Sequence, residues 1–361
     1  MKKLRIGLIG AGKIGLAQIE AIKTIEASGY AELAAIATRD EAKGQEICSK
    51  YQIPSHFTDY RAMLSGTNID VVHNCTPNIL HYEINKDCIE SGCHVLSEKP
   101  LTVNSAQSAD LVERAQTRKI KTAINFVYRY YSVIPRIRAL IADDGLGRVY
   151  AVFGTYLQDW LLSESDYDWR IESRFGGPSR AFADIGSHWI DMAQYLLGQH
   201  VADIVADFAT FIPSRTGKPV DTEDFAGALL RFEGGAHGSL TVSQVSAGQT
   251  SGLSFEIDGS KASLRWSKEN PGIAIIGRRG EPTQILNGQG VISNAGQGAV
   301  IAPDTPIETI SSAQRSMIDN FYRSILFGEA PLYANFEEGH TNVRIVEAAI
   351  RSNQTGGWVR V

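Results

Sequence analysis

Lys99, Asp184 and His188 are side chains of the types that proton transfer at a hydroxyl needs. They stand in two short segments, Glu98-Lys99-Pro100 and Asp184-Ile185-Gly186-Ser187-His188. Oxidising an alcohol takes a proton from oxygen and a hydride from carbon, so it needs a base within hydrogen-bond reach and a cofactor face against the carbon. His188 is the natural base, since imidazole alone has an unperturbed pKa near neutrality. Asp184 comes four residues earlier. If the segment opens a helix, the two side chains share a face, where the carboxylate either orients the imidazole or binds a substrate hydroxyl. Lys99 would stabilise a developing alkoxide. A lone histidine is more often a core or cap residue; a carboxylate in the same short motif favours the chemical reading.

Such chemistry needs a bound hydride acceptor, and the start of the chain has the form to hold one. An apolar run, Leu4–Ile9, leads into Gly10-Ala11-Gly12-Lys13-Ile14-Gly15, and Ile14, Ile19 and Ile22 follow at helical spacing. Between a strand and a helix, Gly10 permits the tight turn, Gly12 admits a pyrophosphate to the backbone, and Gly15 lets helix and strand pack closely. Lys13 and Ile14 are counted with the glycines as cofactor-binding positions. A second strand, 31–37, ends in Thr38-Arg39-Asp40. An acid there suits the free 2'-hydroxyl of NAD and an arginine the 2'-phosphate of NADP. Thr38-Arg39 leans towards NADP. In the alternative, Arg39 covers the adenine, Asp40 caps the next helix, and NAD binds equally well or better.

The elements that must position these residues are legible as texture. Up to about residue 126, strand and helix alternate: helices at 40–51, 79–91 and 105–119, strands at 69–74, 94–97 and 122–126. This predicts an N-terminal Rossmann domain with a parallel sheet over 1–126. Beyond it, alternating segments at 149–157, 204–212, 226–232, 238–245, 253–258 and 262–266 predict a C-terminal α+β domain, 127–361, with a large, mostly antiparallel open sheet. The glycine-rich stretch 288–298 reads as a surface loop. If the sheet face away from its helices is apolar, a second subunit must cover it, which predicts a homodimer or homotetramer.

Composition agrees with a two-domain enzyme. The chain has 361 residues and a net charge of −5, and no basic stripe suits nucleic acid. Cys48, Cys75, Cys88 and Cys93 lack the paired spacing of a zinc site, so no metal is expected, and buried free thiols in a reducing cytosol are the simpler account. Met1-Lys2-Lys3 runs at once into a strand, and no apolar run reaches membrane length. A cytoplasmic protein without a membrane partner is expected.

The order of motifs resembles the glucose-fructose oxidoreductase / inositol dehydrogenase (Gfo/Idh/MocA) family over essentially the whole chain. The glycine turn is followed by Thr76-Pro77-Asn78-Ile79-Leu80-His81, then Glu98-Lys99-Pro100, Trp169-Arg170 and Asp184-Ile185-Gly186-Ser187-His188. The resemblance implies catalytic roles for Lys99, Asp184 and His188. It places Cys75, Thr76, Pro77, Asn78 and His81 along the ribose and nicotinamide, with Glu98, Lys99, Trp169 and Arg170 also at the cofactor. For His81 a helix N-terminal contact is the alternative. Asn125 ends the last Rossmann strand and reads as a cofactor contact or a turn former. Tyr128 and Arg129 face either the substrate or a domain interface; Arg180 lines the site or braces a neighbouring subunit.

Gly154-Thr155-Tyr156-Leu157-Gln158-Asp159-Trp160 offers what sugar sites use: aromatic faces for C–H surfaces, and polar groups to read hydroxyls. It resembles the subgroup that contains levoglucosan dehydrogenase and related sugar dehydrogenases. The expected substrate is a sugar or anhydrosugar, with a cyclitol second, bound by Lys99, Tyr128, Trp160, Arg170, Asp184 and His188. Two other readings stay open: a non-catalytic nucleotide-binding sensor or scaffold, and an enzyme that recycles a tightly bound NAD.

Overall fold

β1 (Leu4–Ile9), β2 (Ala31–Ala37), β3 (Ser55–Phe57), β4 (Val71–Asn74), β5 (His94–Ser97) and β6 (Thr122–Ile124) form one parallel sheet in the computed structural model, which describes residues 3–287 and 308–361. The stretch 288–298 lies outside the described residues. Strands covered by helices on both faces must be apolar throughout, and β1 and β2 are buried along nearly their whole length. The order β3-β2-β1-β4-β5-β6 reverses direction between β1 and β4, where such sheets bind ligands. The helices are α1 (Lys13–Ile25), α2 (Glu41–Tyr51), α3 (Tyr60–Gly66), α4 (His81–Glu90) and α5 (Ser105–Arg118).

After α6 (Val133–Ala142) comes a nine-stranded sheet ordered β16-β15-β14-β13-β7-β12-β11-β8-β17. Its strands are β7 (Val149–Leu157), β8 (Val201–Ala209), β11 (Phe225–Phe232), β12 (His237–Ser243), β13 (Gly252–Gly259), β14 (Ser263–Ser267), β15 (Ile273–Gly277), β16 (Gln284–Asn287) and β17 (Val359–Arg360); β9 (Ser214–Arg215) and β10 (Lys218–Pro219) make a separate ribbon. Every pairing in the large sheet is antiparallel except β7 with β12. Alternation sets its faces: in β11, Ala226, Ala228, Leu230 and Phe232 are buried while Leu229 and Arg231 point the other way. β8 stops before the expected residue 212 because the amides of Phe211 and Ile212 turn to the Asp224 carboxylate, at 2.9 and 3.0 Å. The later helices are α7 (Ser173–Gly176), α8 (Ser187–Leu197), α9 (Ile310–Phe327) and α10 (Phe336–Thr355).

Two compact units result: the chain up to Tyr130 with Thr309–His340, and Tyr131 to Asn287 with Glu308 and Thr341–Val361. The division differs from the boundary expected after residue 126, because Thr309–His340 belongs with the first unit. The cause is packing: Phe327 meets Tyr30 edge-on at 6.1 Å, and the Ile124 amide donates to Ala334 O at 2.8 Å. Periodicity marks a helix face without saying which sheet it covers.

Candidate active site

The glycine turn has the backbone its sequence requires. Gly10 has φ +89°, and a Cβ there would lie 2.8 Å from Cys75 O. At Gly15 a Cβ would lie 2.1 Å from Gly10 O, so only glycine lets α1 start this close to β1. Gly12 is different: a Cβ would meet nothing within 4 Å. Its backbone is open to approach at the N-terminus of α1, as a dinucleotide pyrophosphate needs, and these residues fit that group. Lys13 and Ile14 are exposed beside it. The Cys75 amide donates to Ile9 O at 2.8 Å, which brings the loop after β4 against the glycine turn.

At the end of β2, Thr38 Oγ1 donates to Asp40 O at 2.9 Å and meets His56 Nε2 at 2.8 Å. The Asp40 carboxylate caps α2, accepting from the Lys43 amide at 3.0 Å. Arg39 is exposed between them.

Glu98 is enclosed, and one of its oxygens accepts from Gln18 Nε2 at 2.6 Å and from Asn125 Nδ2 at 2.5 Å. Lys99 follows, half-buried, with a cis peptide to Pro100. His81, fully buried at the start of α4, sets Nδ1 2.7 Å from Pro100 O and Nε2 2.9 Å from Thr76 O. It therefore ties the Thr76-Pro77 loop to the Glu98-Lys99-Pro100 turn. Thr76 Oγ1 also donates to Asn74 Oδ1 at 2.7 Å, while Pro77 leads into a short 3₁₀ turn at Asn78–Leu80. Burial, and then the charge of Glu98, push the Cys75 thiol well above its usual pKa, so it stays protonated. Tyr128 is buried in this unit, and Arg129 pairs with Glu338 at 2.8 Å.

In the second unit, the Asp184 segment is a π-turn, Phe182–Gly186, which runs into α8 at Ser187. Such turns recur at functional sites. Its entry is organised by Glu223, one of whose oxygens accepts from Ser179 Oγ at 2.7 Å and from the amides of Arg180 and Phe182 at 3.0 and 2.9 Å. Hydrogen bonds to a charged group contribute about 1.5–3 kcal/mol each. They pull the Glu223 pKa down, but burial outweighs them and leaves it raised. α8 docks through Trp189, whose Nε1 donates to Ser254 O at 3.1 Å. The fit requires Gly154, where a Cβ would lie 2.6 Å from that nitrogen. Asn342 Nδ2 holds Ser187 O at 2.9 Å.

Both Asp184 oxygens are engaged: Oδ2 accepts from Gln244 Nε2 at 2.9 Å, and Oδ1 lies 3.6 Å from Arg170 Nε. Arg170 also holds Asp168 at 3.0 Å, and its guanidinium lies over the Trp169 ring at 4.5 Å. The His188 ring packs against Tyr156, with centroids 6.2 Å apart. Trp160 is partly exposed, and its Nε1 donates to Gln158 at 2.6 Å. The structure thus gathers Asp168, Trp169, Arg170 and Asp184 in one cluster. Arg180 does not reach the surface: it is enclosed, 3.8 Å from Asp224, and burial lowers its pKa against the opposing charges of Asp224, Glu223 and Asp184. Gln244 and Glu223 carried no signal in the sequence, since Gln244 is an ordinary polar residue near the end of a strand-like run and Glu223 one acid of Asp221-Thr222-Glu223-Asp224 ahead of another.

Among the described residues no group of three or more His, Cys, Asp or Glu could hold a metal ion, and no helix is long and apolar enough to cross a membrane. Residues 4–126 match the model of the oxidoreductase family with an NAD-binding Rossmann fold, and residues 134–265 match the GFO/IDH/MocA C-terminal domain. The chain belongs to the GFO/IDH/MocA family. Levoglucosan dehydrogenase of Pseudarthrobacter phenanthrenivorans is 30% identical to it over 293 residues, 74% of this chain and 75% of that one. Myo-inositol 2-dehydrogenase of Thermotoga maritima is 28% identical over 237 residues, covering 66% and 67%. A levoglucosan dehydrogenase solved with NADH and levoglucosan superposes with a TM-score of 0.91 at 26% identity, covering 100% of both chains. This GFO/IDH/MocA protein is therefore an oxidoreductase with an NAD-binding Rossmann fold.

Proposed function

We propose that this oxidoreductase oxidises a secondary hydroxyl of a neutral sugar or anhydrosugar, with a cyclitol as the second choice. The observation that carries this reading is the Asp184 carboxylate held by Gln244 and Arg170 in the turn that leads into His188. A nicotinamide dinucleotide, when bound at the glycine turn, supplies the hydride acceptor. His188 takes the hydroxyl proton, Asp184 orients the imidazole or a neighbouring hydroxyl, and Lys99 stabilises negative charge on the reacting oxygen. Trp160, Arg170 and Tyr128 bind the substrate, while Thr76, Pro77, Asn78, Asn125 and Trp169 line the cofactor. Glu98 and His81 serve it from behind, through the loops they hold. A spectrophotometric panel of neutral sugars, anhydrosugars and inositols with NAD and NADP tests this; reduction of neither cofactor by any of them would overturn it. Reduced-nicotinamide absorption that survives gel filtration would favour a recycled, tightly held cofactor.

For the cofactor we favour NADP, because β2 ends in Thr38-Arg39, an arginine rather than an acid at that position; the cap that Asp40 makes on α2 belongs to the NAD alternative and does not decide between them. Arg39→Ala is expected to weaken NADP by roughly 10- to 100-fold, the loss of a hydrogen bond to a charged group, with NAD nearly unchanged. Titrations of both proteins with both cofactors check this. A wild type that already prefers NAD tenfold would reverse the assignment.

The oxidoreductase is also proposed to be a homodimer or homotetramer in the cytoplasm, where its free thiols stay reduced. The register of the large sheet sets Val205, Leu229, Ser239, Phe153, Glu256, Arg265, Ile275 and Ile285 in one row on the face away from the buried positions, apolar at both ends and polar at Ser239, Glu256 and Arg265. Leu229 and Ile285 are 52% and 66% exposed, which a second subunit would cover. Light scattering is expected to give at least a dimer; a monomer at micromolar concentration would remove the inference.

A further inference from the structure

Behind the Glu98-Lys99-Pro100 turn, a file of buried polar side chains crosses the first unit. Tyr322 Oη lies 2.8 Å from His73 Nε2, and His73 Nδ1 lies 2.5 Å from Gln18 Oε1. Gln18 Nε2 in turn donates to Glu98 Oε1 at 2.6 Å. Gln18, His73 and Tyr322 are each 0% exposed. They come from α1, β4 and α9, so three elements converge on one carboxylate.

The direction of every bond follows from that carboxylate. Ionised, it only accepts, so the Gln18 amide nitrogen must face it and the amide oxygen must face His73. An amide oxygen also only accepts, which puts the His73 proton on Nδ1. Burial holds the His73 pKa down to about 3, so the ring is neutral and Nε2 is left to accept from the Tyr322 hydroxyl. All donors in the file point towards Glu98.

Glu98 is fixed by its backbone as well. Its amide donates to Asn74 O at 2.9 Å, and its carbonyl accepts from Ser97 Oγ at 3.1 Å, which Asn85 Nδ2 holds at 2.9 Å. Two residues on, His81 holds the Pro100 carbonyl. Lys99 projects from the short stretch between these clamps.

We propose that Tyr322, His73 and Gln18 form a positioning device for Lys99: the one-way file holds Glu98 as an anion in a single place and thereby sets where the Lys99 side chain starts. The proposal rests on the catalytic reading of Lys99. A passive core network would keep the unit folded and no more; a positioning device also sets the rate of the chemical step.

The first test uses wild-type protein with isotope-labelled histidine. His73 is expected in NMR spectra as the neutral tautomer protonated on Nδ1, unchanged across the neutral pH range, whereas an Nε2-protonated or titrating ring would overturn the file. Next, Gln18→Met keeps the side-chain length and removes both hydrogen bonds. It is expected to lower kcat on the order of 10²-fold with the cofactor KM nearly unchanged. Tyr322→Phe, at the far end, should lose less. Equal losses in kcat and cofactor affinity, or normal kcat in a folded Gln18→Met, would overturn the proposal. Lys99→Met assayed alongside separates the two ideas: normal turnover there defeats the catalytic reading, while a slow Lys99→Met beside a normal Gln18→Met defeats only the positioning device.

Discussion

His188→Ala is expected to fold and bind cofactor as the wild type does, yet to lose turnover by on the order of 10²- to 10⁴-fold, the range for a positioned acid–base group. Folding should survive because α8 is secured by other contacts: Trp189 on Ser254 O, and Asn342 on Ser187 O. Cofactor binding should survive because the glycine turn lies in the other unit. What the variant removes is the group proposed to take the hydroxyl proton, so the loss should appear in kcat and in kcat/KM alike. Thermal melting, cofactor titration and steady-state kinetics on one preparation check all three. Undiminished activity at neutral pH would move the base elsewhere.

Five of the six strands of the first sheet were readable to within two residues, because a strand buried on both faces is mainly apolar; β3 (Ser55–Phe57), short and nowhere fully buried, gave no such run. Leu4–Ile9 and Ala31–Ala37 are such runs, closed by turn residues. Val149–Leu157 was equally clear from its alternation. The residues proposed to react were singled out because their types and spacing have few other uses. Their supports were not. Gln18 sits on an amphipathic helix, where a glutamine ordinarily marks a solvated position; only tertiary packing puts α9 over it and turns its amide towards Glu98. Gln244 ends a strand without any pattern that would pair it with Asp184. The spacing of Asp184 and His188 is the same in an α-helix and in a π-turn, so the backbone form at Phe182–Gly186 was beyond the sequence as well. For Asp40 the one role the sequence offered, within the NAD alternative, was a helix cap, and its carboxylate caps α2.

Lys99→Met should lower kcat by about 10²- to 10³-fold, the effect of removing one donor that stabilises charge developing in the transition state, while cofactor affinity changes little. The split follows from where the residue stands. Methionine keeps the length and the apolar stem of lysine but removes the charge, so the half-buried stem keeps its packing and the clamps on Glu98 and Pro100 are untouched. The glycine turn and the loop after β4, the proposed place of the dinucleotide, are not altered either. Lys99→Arg sharpens the test, because a planar guanidinium fork cannot occupy the place of a compact ammonium and should recover only part of the rate. Single-turnover measurements with saturating cofactor isolate the chemical step. If the whole defect of Lys99→Met appears in cofactor affinity, the lysine is a nucleotide contact, and charge stabilisation at the reacting oxygen must come from another residue.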